Sequence, residues 1–257
     1  MAFGRATTAD EVLAGIDLHG KVAIVTGASS GLGGEIVRVL RAHGADVVAA
    51  VRDPSRDEDT VSAVELDLAS LESVRSAAER LTARLPRIDL LFNNAGISTR
   101  NIPVDDLTYE QWSNVVAVNL TGSFLCAQHA FRMMKNQTPR GGRIINNGSV
   151  SAHVPRRNST PYSTTKHALT GLTRSLSLDG REFDIACGQI DIGNAATTRN
   201  EDTARGRLQA SDRVEAEARI DVNDVARGVA YMASLSLEAN VQFMTVMATK
   251  MPYIGRG

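Results

Sequence analysis

At 257 residues, 43% of them hydrophobic, the chain can bury a full core as one domain, and its length requires no second one. Its 28 basic and 29 acidic residues leave a net charge of -1, which gives no field to recruit nucleic acid or an anionic membrane, so small-molecule chemistry is favoured. Cys126 and Cys187 lie far apart and the five histidines show no ligand spacing, so no metal site is expected and both thiols read as reduced and structural.

Met1 to Glu11 carries acids and no apolar run, so neither a secretory signal nor a transit peptide is expected there, and residues 1 to 17 read as a helical arm outside the core. No apolar stretch approaches the length of a membrane span, and the expected location is cytoplasmic. Short β-branched runs then alternate with amphipathic segments. A strand is expected at Lys21 to Thr26, a helix from Leu32 to His43 and a strand from Asp46 to Val51, which together make a βαβ unit. A strand at Val61 to Leu66, a helix from Leu71 to Leu85 and a strand at Ile88 to Phe92 continue the alternation. Helices are expected over Tyr109 to Ala117 and Gly122 to Lys135, then a strand at Arg143 to Asn147 and a helix from Tyr162 to Asp179. A strand at Phe183 to Ile190, a helix over Asp221 to Ser234 and a strand at Val241 to Met247 complete the series. Strands separated by helices throughout imply an α/β fold, a doubly wound parallel sheet with helices on both faces. Ligands are expected outside the carboxyl ends of its strands.

After the first strand comes Thr26-Gly27-Ala28-Ser29-Ser30-Gly31-Leu32-Gly33, leading straight into a helix. Gly27 permits a tight turn, Gly31 lets the backbone approach a pyrophosphate, and Gly33 lets helix and strand pack closely at a helix N-terminus that favours anions. Gly27, Ser29, Ser30, Gly31, Leu32 and Gly33 are therefore cofactor-binding candidates. The second strand ends at Val51-Arg52-Asp53, where an acid would bind the ribose hydroxyls of NAD. Val51 cannot do so and Arg52 can pair with a 2'-phosphate, so NADP(H) is preferred and NAD(H) stays open through Asp53. Asp67 and Leu68 follow the third strand, where a carboxylate would meet the adenine amino group. Asn93-Asn94-Ala95-Gly96 ends the fourth, and Asn93, Ala95 and Gly96 allow close backbone approach and hydrogen bonding.

Tyr162 and Lys166 stand four apart in Tyr-Ser-Thr-Thr-Lys, on one face of a helix. A phenol is a poor proton donor or acceptor near neutrality unless a neighbouring cation stabilises the phenolate. Moving it by about three units takes roughly 4 kcal/mol, more than an exposed ion pair supplies. Lys166 is one such cation, and an oxidised nicotinamide ring would be a second.

With the glycine turn, Asn-Asn-Ala-Gly and Tyr-x-x-x-Lys in this order, the chain resembles the short-chain dehydrogenase/reductase family from about Lys21 to Ile192, and weakly on to Met247. The resemblance implies a Rossmann fold of about seven strands, NAD(P)(H) chemistry on alcohols or ketones, and a homodimer or homotetramer. It implies that Tyr162 is the general acid/base and that Lys166 lowers its pKa and binds the nicotinamide ribose. Ser149 would hydrogen-bond the substrate oxygen, with Ser151 its neighbour, and the Asn119 backbone would hold a water in a proton relay. Ile192 stands where the family has proline before glycine, and Thr197 matches a threonine that contacts the nicotinamide amide. The C-terminal segment lacks the family's frequent Asp-Gly-Gly ending.

The polar stretch over 193–215, with Gly193, Asn194 and Gly206 as bending points, reads as a substrate lid or as a frayed surface helix. Arg156 and Arg157, and Arg199, Arg205 and Arg207 in that stretch, read first as solvated arginines and second as a trap for a carboxylate or phosphate. His153, near the same loop, could touch substrate, His167 is expected on another helix face, and neither is read as catalytic. The expected function is an NADP(H)-dependent oxidoreductase acting on a carbonyl or secondary alcohol. Its alternatives are an NAD-dependent alcohol dehydrogenase, a non-catalytic redox sensor and a sugar-nucleotide epimerase or dehydratase. The intact Ser149, Tyr162 and Lys166 argue against the sensor, and the short remainder after Thr197 against the epimerase.

Overall fold

The computed structural model describes residues 15–56, 63–99, 101–197, 206–209 and 213–254. The expectations for residues 1–14, Arg199 and Arg205 lie outside the described residues, as does the side chain of Arg207. Seven parallel strands form one sheet in the order β3-β2-β1-β4-β5-β6-β9: β1 Val22–Thr26, β2 Asp46–Val51, β3 Ala63–Glu65, β4 Leu90–Asn93, β5 Gly142–Asn147, β6 Ile185–Ile192 and β9 Phe243–Val246. A two-stranded antiparallel pair, β7 Arg207–Leu208 with β8 Val214–Glu215, stands apart from it. The chain runs outward from β1 to β3 and returns to place β4 on the other side of β1. That reversal opens a crevice at the carboxyl ends of β1 and β4, where such sheets bind ligands.

The helices are α1 Gly31–Ala42, α2 Leu71–Arg84, α3 Tyr109–Val116, α4 Ser123–Asn136, α5 Thr160–Asp179 and α6 Val222–Ser234. Their starts have chemical causes. Ser70 accepts from Ser73 N, Asp221 accepts from Asn223 N, and Thr108 forms a reciprocal capping box with Gln111. The period-2 side-chain alternation divides the core into two layers. Val25, Val47, Phe92, Ile145 and Ile190 pack with Ile36, Leu40, Val225 and Val229 on the α1 and α6 face. Ile24, Val48, Leu91 and Ile144 pack with Val74, Leu81, Ala127 and Met134 on the α2 and α4 face.

Most expected boundaries fall within two residues of the observed ones. The sixth strand is shifted: it runs to Ile192, so this residue closes a buried strand opposite Val246 rather than opening a loop. Between α3 and α4 the expected break is a π-helical turn, Ala117–Gly122, which keeps the helical path continuous and carries Asn119. Among the described residues no helix is long and apolar enough to cross a membrane.

Candidate active site

The glycine turn sits at the switch point. Gly27 and Gly31 take left-handed φ values of +65° and +57°. A Cβ on Gly33 would lie 2.3 Å from Gly27 O and 2.7 Å from Asn94 Nδ2, so only hydrogen fits. Asn94 fastens this turn to the sheet: its Nδ2 donates to Thr26 O at 2.9 Å and to Gly27 O at 3.1 Å. Its Oδ1 accepts from Asn147 Nδ2 at 3.0 Å. The Thr26 hydroxyl accepts the backbone N–H groups of Asn94 and Ala95 at 2.9 and 3.0 Å. Ser30 is the N-cap of α1 and makes no side-chain cap bond among the described residues, so no side chain of the cap competes with an anion for the first-turn N–H groups. Ser29 and Gly31 are exposed and Leu32 is half-buried against the core. A pyrophosphate fits this cradle.

The other dinucleotide candidates are spread along the same edge. Arg52 is exposed just past β2, and Asp53 is turned toward Ser55, whose N and Oγ donate to its Oδ1 at 3.1 and 2.6 Å. The Asp67 carboxylate accepts from Ala69 N at 3.0 Å, and Leu68 packs against Gly122. Asn93 faces away from the turn: its Nδ2 donates to Ser123 O and to Asn146 Oδ1 at 3.1 and 2.9 Å in the α4 and α5 layer. Gly96 lies against Asn119, and Thr197 approaches Gly31 closely enough that an added Cβ there would stand 3.4 Å from Thr197 Cγ2.

The tyrosine and lysine come next to these groups through β5 and α5. Lys166 is buried, and its Nζ donates to Asn147 O at 2.6 Å while standing 5.6 Å from the centre of the Tyr162 ring. Asn147 thus joins the lysine to Asn94 and the glycine turn. Ser149 caps the short 3-10 turn Val150–Ala152, accepting Ser151 N–H on Oγ at 3.1 Å, so its own proton remains free to donate. Asn119 spends its amide on Ile97 N and O, at 2.7 and 2.9 Å, and on Thr165 Oγ1 at 3.2 Å. Its carbonyl, which has two lone pairs, accepts from Ser123 Oγ at 2.9 Å. The structure therefore gathers Asn119, Tyr162 and Lys166 around α5, with Ser149 at the adjoining strand end.

Arg156 corrects both readings of it. It is neither solvated nor open to a substrate anion: its side chain is 10% exposed and forks onto Glu217, itself 1% exposed, with two bonds of 2.6 Å. Asn194 bridges the pair, accepting from Arg156 at 3.1 Å and donating to Glu217 at 2.6 Å, and Gln209 donates to Glu217 at 2.8 Å. Burial alone would raise the Glu217 pKa, but these donors and the guanidinium charge overcome it and hold the carboxyl at about 2. Backbone bonds between Ala196 N and Ile220 O, and between Ile220 N and Asn194 O, both 2.8 Å, seat the segment after β6 on the strand-like run before α6. Burial pushes the Cys187 thiol up to about 12, which suits an inert core group.

A second buried carboxylate was not anticipated. Asp191, 1% exposed, accepts from Ser149 N at 3.0 Å and Gln189 Nε2 at 2.8 Å on one oxygen, and meets His153 Nε2 at 2.8 Å on the other. An acid inside the apolar run Ile-Ala-Cys-Gly-Gln-Ile-Asp-Ile was the available signal, because such strands do not bury charge without purpose. Glu217 gave none, lying 61 residues from its arginine.

A glycine turn at the switch point of a parallel sheet, with a buried lysine beside a tyrosine at the neighbouring strand ends, defines a Rossmann-type oxidoreductase. The chain belongs to the short chain dehydrogenase family, which it matches over residues 21–207. It is 37% identical over 191 residues to the uncharacterized oxidoreductase YohF of Escherichia coli strain K12, covering 70% of this chain and 75% of that one. Among solved structures it resembles the acetoin dehydrogenase YohF of Salmonella typhimurium, with a TM-score of 0.75, 32% identity, and coverage of 88% of this chain and 94% of that one. It also resembles a putative NAD(P) dependent gluconate 5-dehydrogenase from Beutenbergia cavernae with bound NADP, with a TM-score of 0.76, 26% identity, and coverage of 90% and 96%.

Proposed function

We propose that the chain is an NADP(H)-dependent oxidoreductase that interconverts a carbonyl and a secondary alcohol. The observation that carries this reading is the buried Lys166 ammonium, fixed 2.6 Å from Asn147 O and 5.6 Å from the Tyr162 ring centre. The dehydrogenase names of its relatives support the same class of reaction, and the neighbour holding NADP supports a nicotinamide dinucleotide. That cofactor, when bound, supplies the hydride donor or acceptor. The glycine turn and the first turn of α1 hold its pyrophosphate. Arg52, exposed at the end of β2 while Asp53 is engaged by Ser55, binds a 2'-phosphate and favours NADP(H) over NAD(H).

In the direction of reduction, Ser149 donates its free proton to the carbonyl oxygen and orients it. Tyr162 transfers a proton to that oxygen as negative charge builds there, and Lys166 stabilises the phenolate left behind. Oxidation reverses these transfers. Asn119 offers its remaining carbonyl lone pair to a water that returns the proton from solvent toward Lys166. The π-helical turn sets this carbonyl at a widened point of the helix.

The test is Tyr162→Phe, which removes the proton and keeps the ring. Turnover of a ketone panel with NADPH should fall by a factor of about 100 to 10,000, the usual value of a positioned acid/base. NADPH affinity, read by fluorescence titration, should stay near that of the wild type. Turnover close to wild type would remove Tyr162 from the mechanism.

A further inference from the structure

The last residue pair between β5 and β6 is Asn147 with Ile190, and Gly148 N still donates to Ile190 O at 2.8 Å. β5 has ended at Asn147, while β6 runs on to Ile192. The next N–H of the departing chain, that of Ser149, donates to a side chain, the Asp191 carboxylate, at 3.0 Å. Ser149 is buried, so this donor needs an acceptor from the protein.

A buried carboxylate is costly unless several donors satisfy it. Oδ1 of Asp191 takes Ser149 N and Gln189 Nε2, at 3.0 and 2.8 Å, and Oδ2 meets His153 Nε2 at 2.8 Å. Gln189 Nε2 also donates to Thr170 Oγ1 at 3.0 Å, and its Oε1 lies 2.9 Å from Thr173 Oγ1. Thr170 and Thr173 stand on α5, one and two turns beyond Lys166. The carboxylate therefore joins the main chain at Ser149 to the helix that carries Tyr162 and Lys166. The joint is close-packed: a Cβ on Gly148 would fall 2.0 Å from Asp191 Oδ1 and 2.8 Å from Gln189 Nε2, so the carboxylate rests directly on the glycine.

We propose that Asp191 is a positioning residue that fixes the Ser149 main chain against α5, so that the Ser149 hydroxyl and the Tyr162 phenol meet the same substrate oxygen. This inference rests on the carbonyl oxidoreductase reading, with Ser149 at the reacting oxygen. Ser149 is pinned twice, since its Oγ accepts Ser151 N–H at 3.1 Å while its own N–H is held by Asp191. Two donors on separate elements reach one atom only while those elements keep their spacing, and an error of about 1 Å costs a factor of about 100 in rate. A charged acceptor holds its donors more tightly than a neutral one, which suits a carboxylate to this task.

A double-mutant cycle on kcat separates this role from a merely structural one. It uses the full-length chain, saturating NADPH and the ketone of the panel that the wild type reduces best. Asp191→Ala should lower kcat by about 10- to 100-fold, and Asp191→Asn, which keeps an oxygen for Ser149 N, should recover most of that loss. In a Ser149→Ala background, where no hydroxyl is left to position, Asp191→Ala should cost less than about twofold. NADPH affinity should stay near that of the wild type throughout. Where Asp191→Ala does not fold, Gln189→Met carries the same cycle: it cuts the tie to α5, and its loss of about three- to tenfold should likewise vanish in Ser149→Ala. Equal losses in the two backgrounds, or an Asp191→Asn as slow as Asp191→Ala, overturn the inference and leave the oxidoreductase reading standing. A wild type that binds NADPH but reduces no ketone of the panel overturns both.

Discussion

The two halves of the cleft are held together by different means. On the nucleotide side, from β1 through α1, the contacts are steric and backbone-based: Gly33 presses on Gly27 O, and Asn94 ties the turn to β4. On the substrate side, the loop after β5 and the segments after β6 are joined at two buried carboxylates, one of them in an ion pair. Arg156 grips Glu217 through Asn194 and Gln209, and His153 grips Asp191. A steric fit is insensitive to pH and tolerates almost no change of shape. A buried ion pair is sensitive to protonation and to the loss of either partner.

The largest expected effect follows from that contrast. Arg156→Met leaves the buried Glu217 carboxylate without its cation and should cost about 3–5 kcal/mol, read from reversible urea unfolding. Arg156→Met with Glu217→Met should recover most of the loss, since an apolar pair carries no desolvation penalty. A single variant within ~0.5 kcal/mol of wild type would show that the pair does not support the substrate side. The same linkage has a pH signature. Folding lowers the Glu217 pKa from 4.5 to about 2, so the stability it contributes is complete above pH 4.5 and is lost as the pH falls toward 2. About 3 kcal/mol is at stake in that window, and Glu217→Gln should flatten the acid limb of the stability curve.

The difference between the halves also explains what could be read from the sequence. Apart from the Asn94 clamp, the nucleotide side is local: turn, helix start and strand end lie within Val22 to Val51, and each requirement selects a residue type at a fixed spacing. Tyr162 and Lys166 were legible for the same reason, as neighbours on one helix. The substrate side depends on pairs distant in the chain, Arg156 with Glu217 and His153 with Asp191, separated by 61 and 38 residues. No periodicity encodes such a pairing. Arg156 looked like a loop arginine because its partner sits beyond β6, and Asn94 was passed over for Asn93 because strand alternation at the end of β4 decides which amide faces the turn.

Gly33→Ala tests the steric half. The added methyl would meet Gly27 O at 2.3 Å and Asn94 Nδ2 at 2.7 Å, and the first of these is backbone that cannot swing aside. Overpacking of this kind costs about 1–3 kcal/mol. The distinguishing result is the spread of the damage. NADPH affinity should fall along with stability, because the same shift opens the phosphate cradle, and the acid limb should keep its wild-type shape. Retained NADPH affinity in a destabilised variant would separate the helix packing from the cradle and weaken the contrast between the halves.

The smallest effect concerns charge on the nucleotide side, where Arg52 is the exception to a steric rule. Arg52 is exposed, so its removal should leave the urea midpoint within about 0.5 kcal/mol of wild type. Its value should appear only with the 2'-phosphate present: Arg52→Ala should weaken NADPH by about tenfold or more while NADH changes little. Because the ion pair would be solvent-exposed, the NADPH advantage of the wild type should shrink as salt is raised, whereas the buried Arg156 and Glu217 pair should be nearly indifferent to salt. Equal weakening of both cofactors would remove the phosphate role from Arg52 and leave the free choice between NADP and NAD to the backbone geometry at the end of β2.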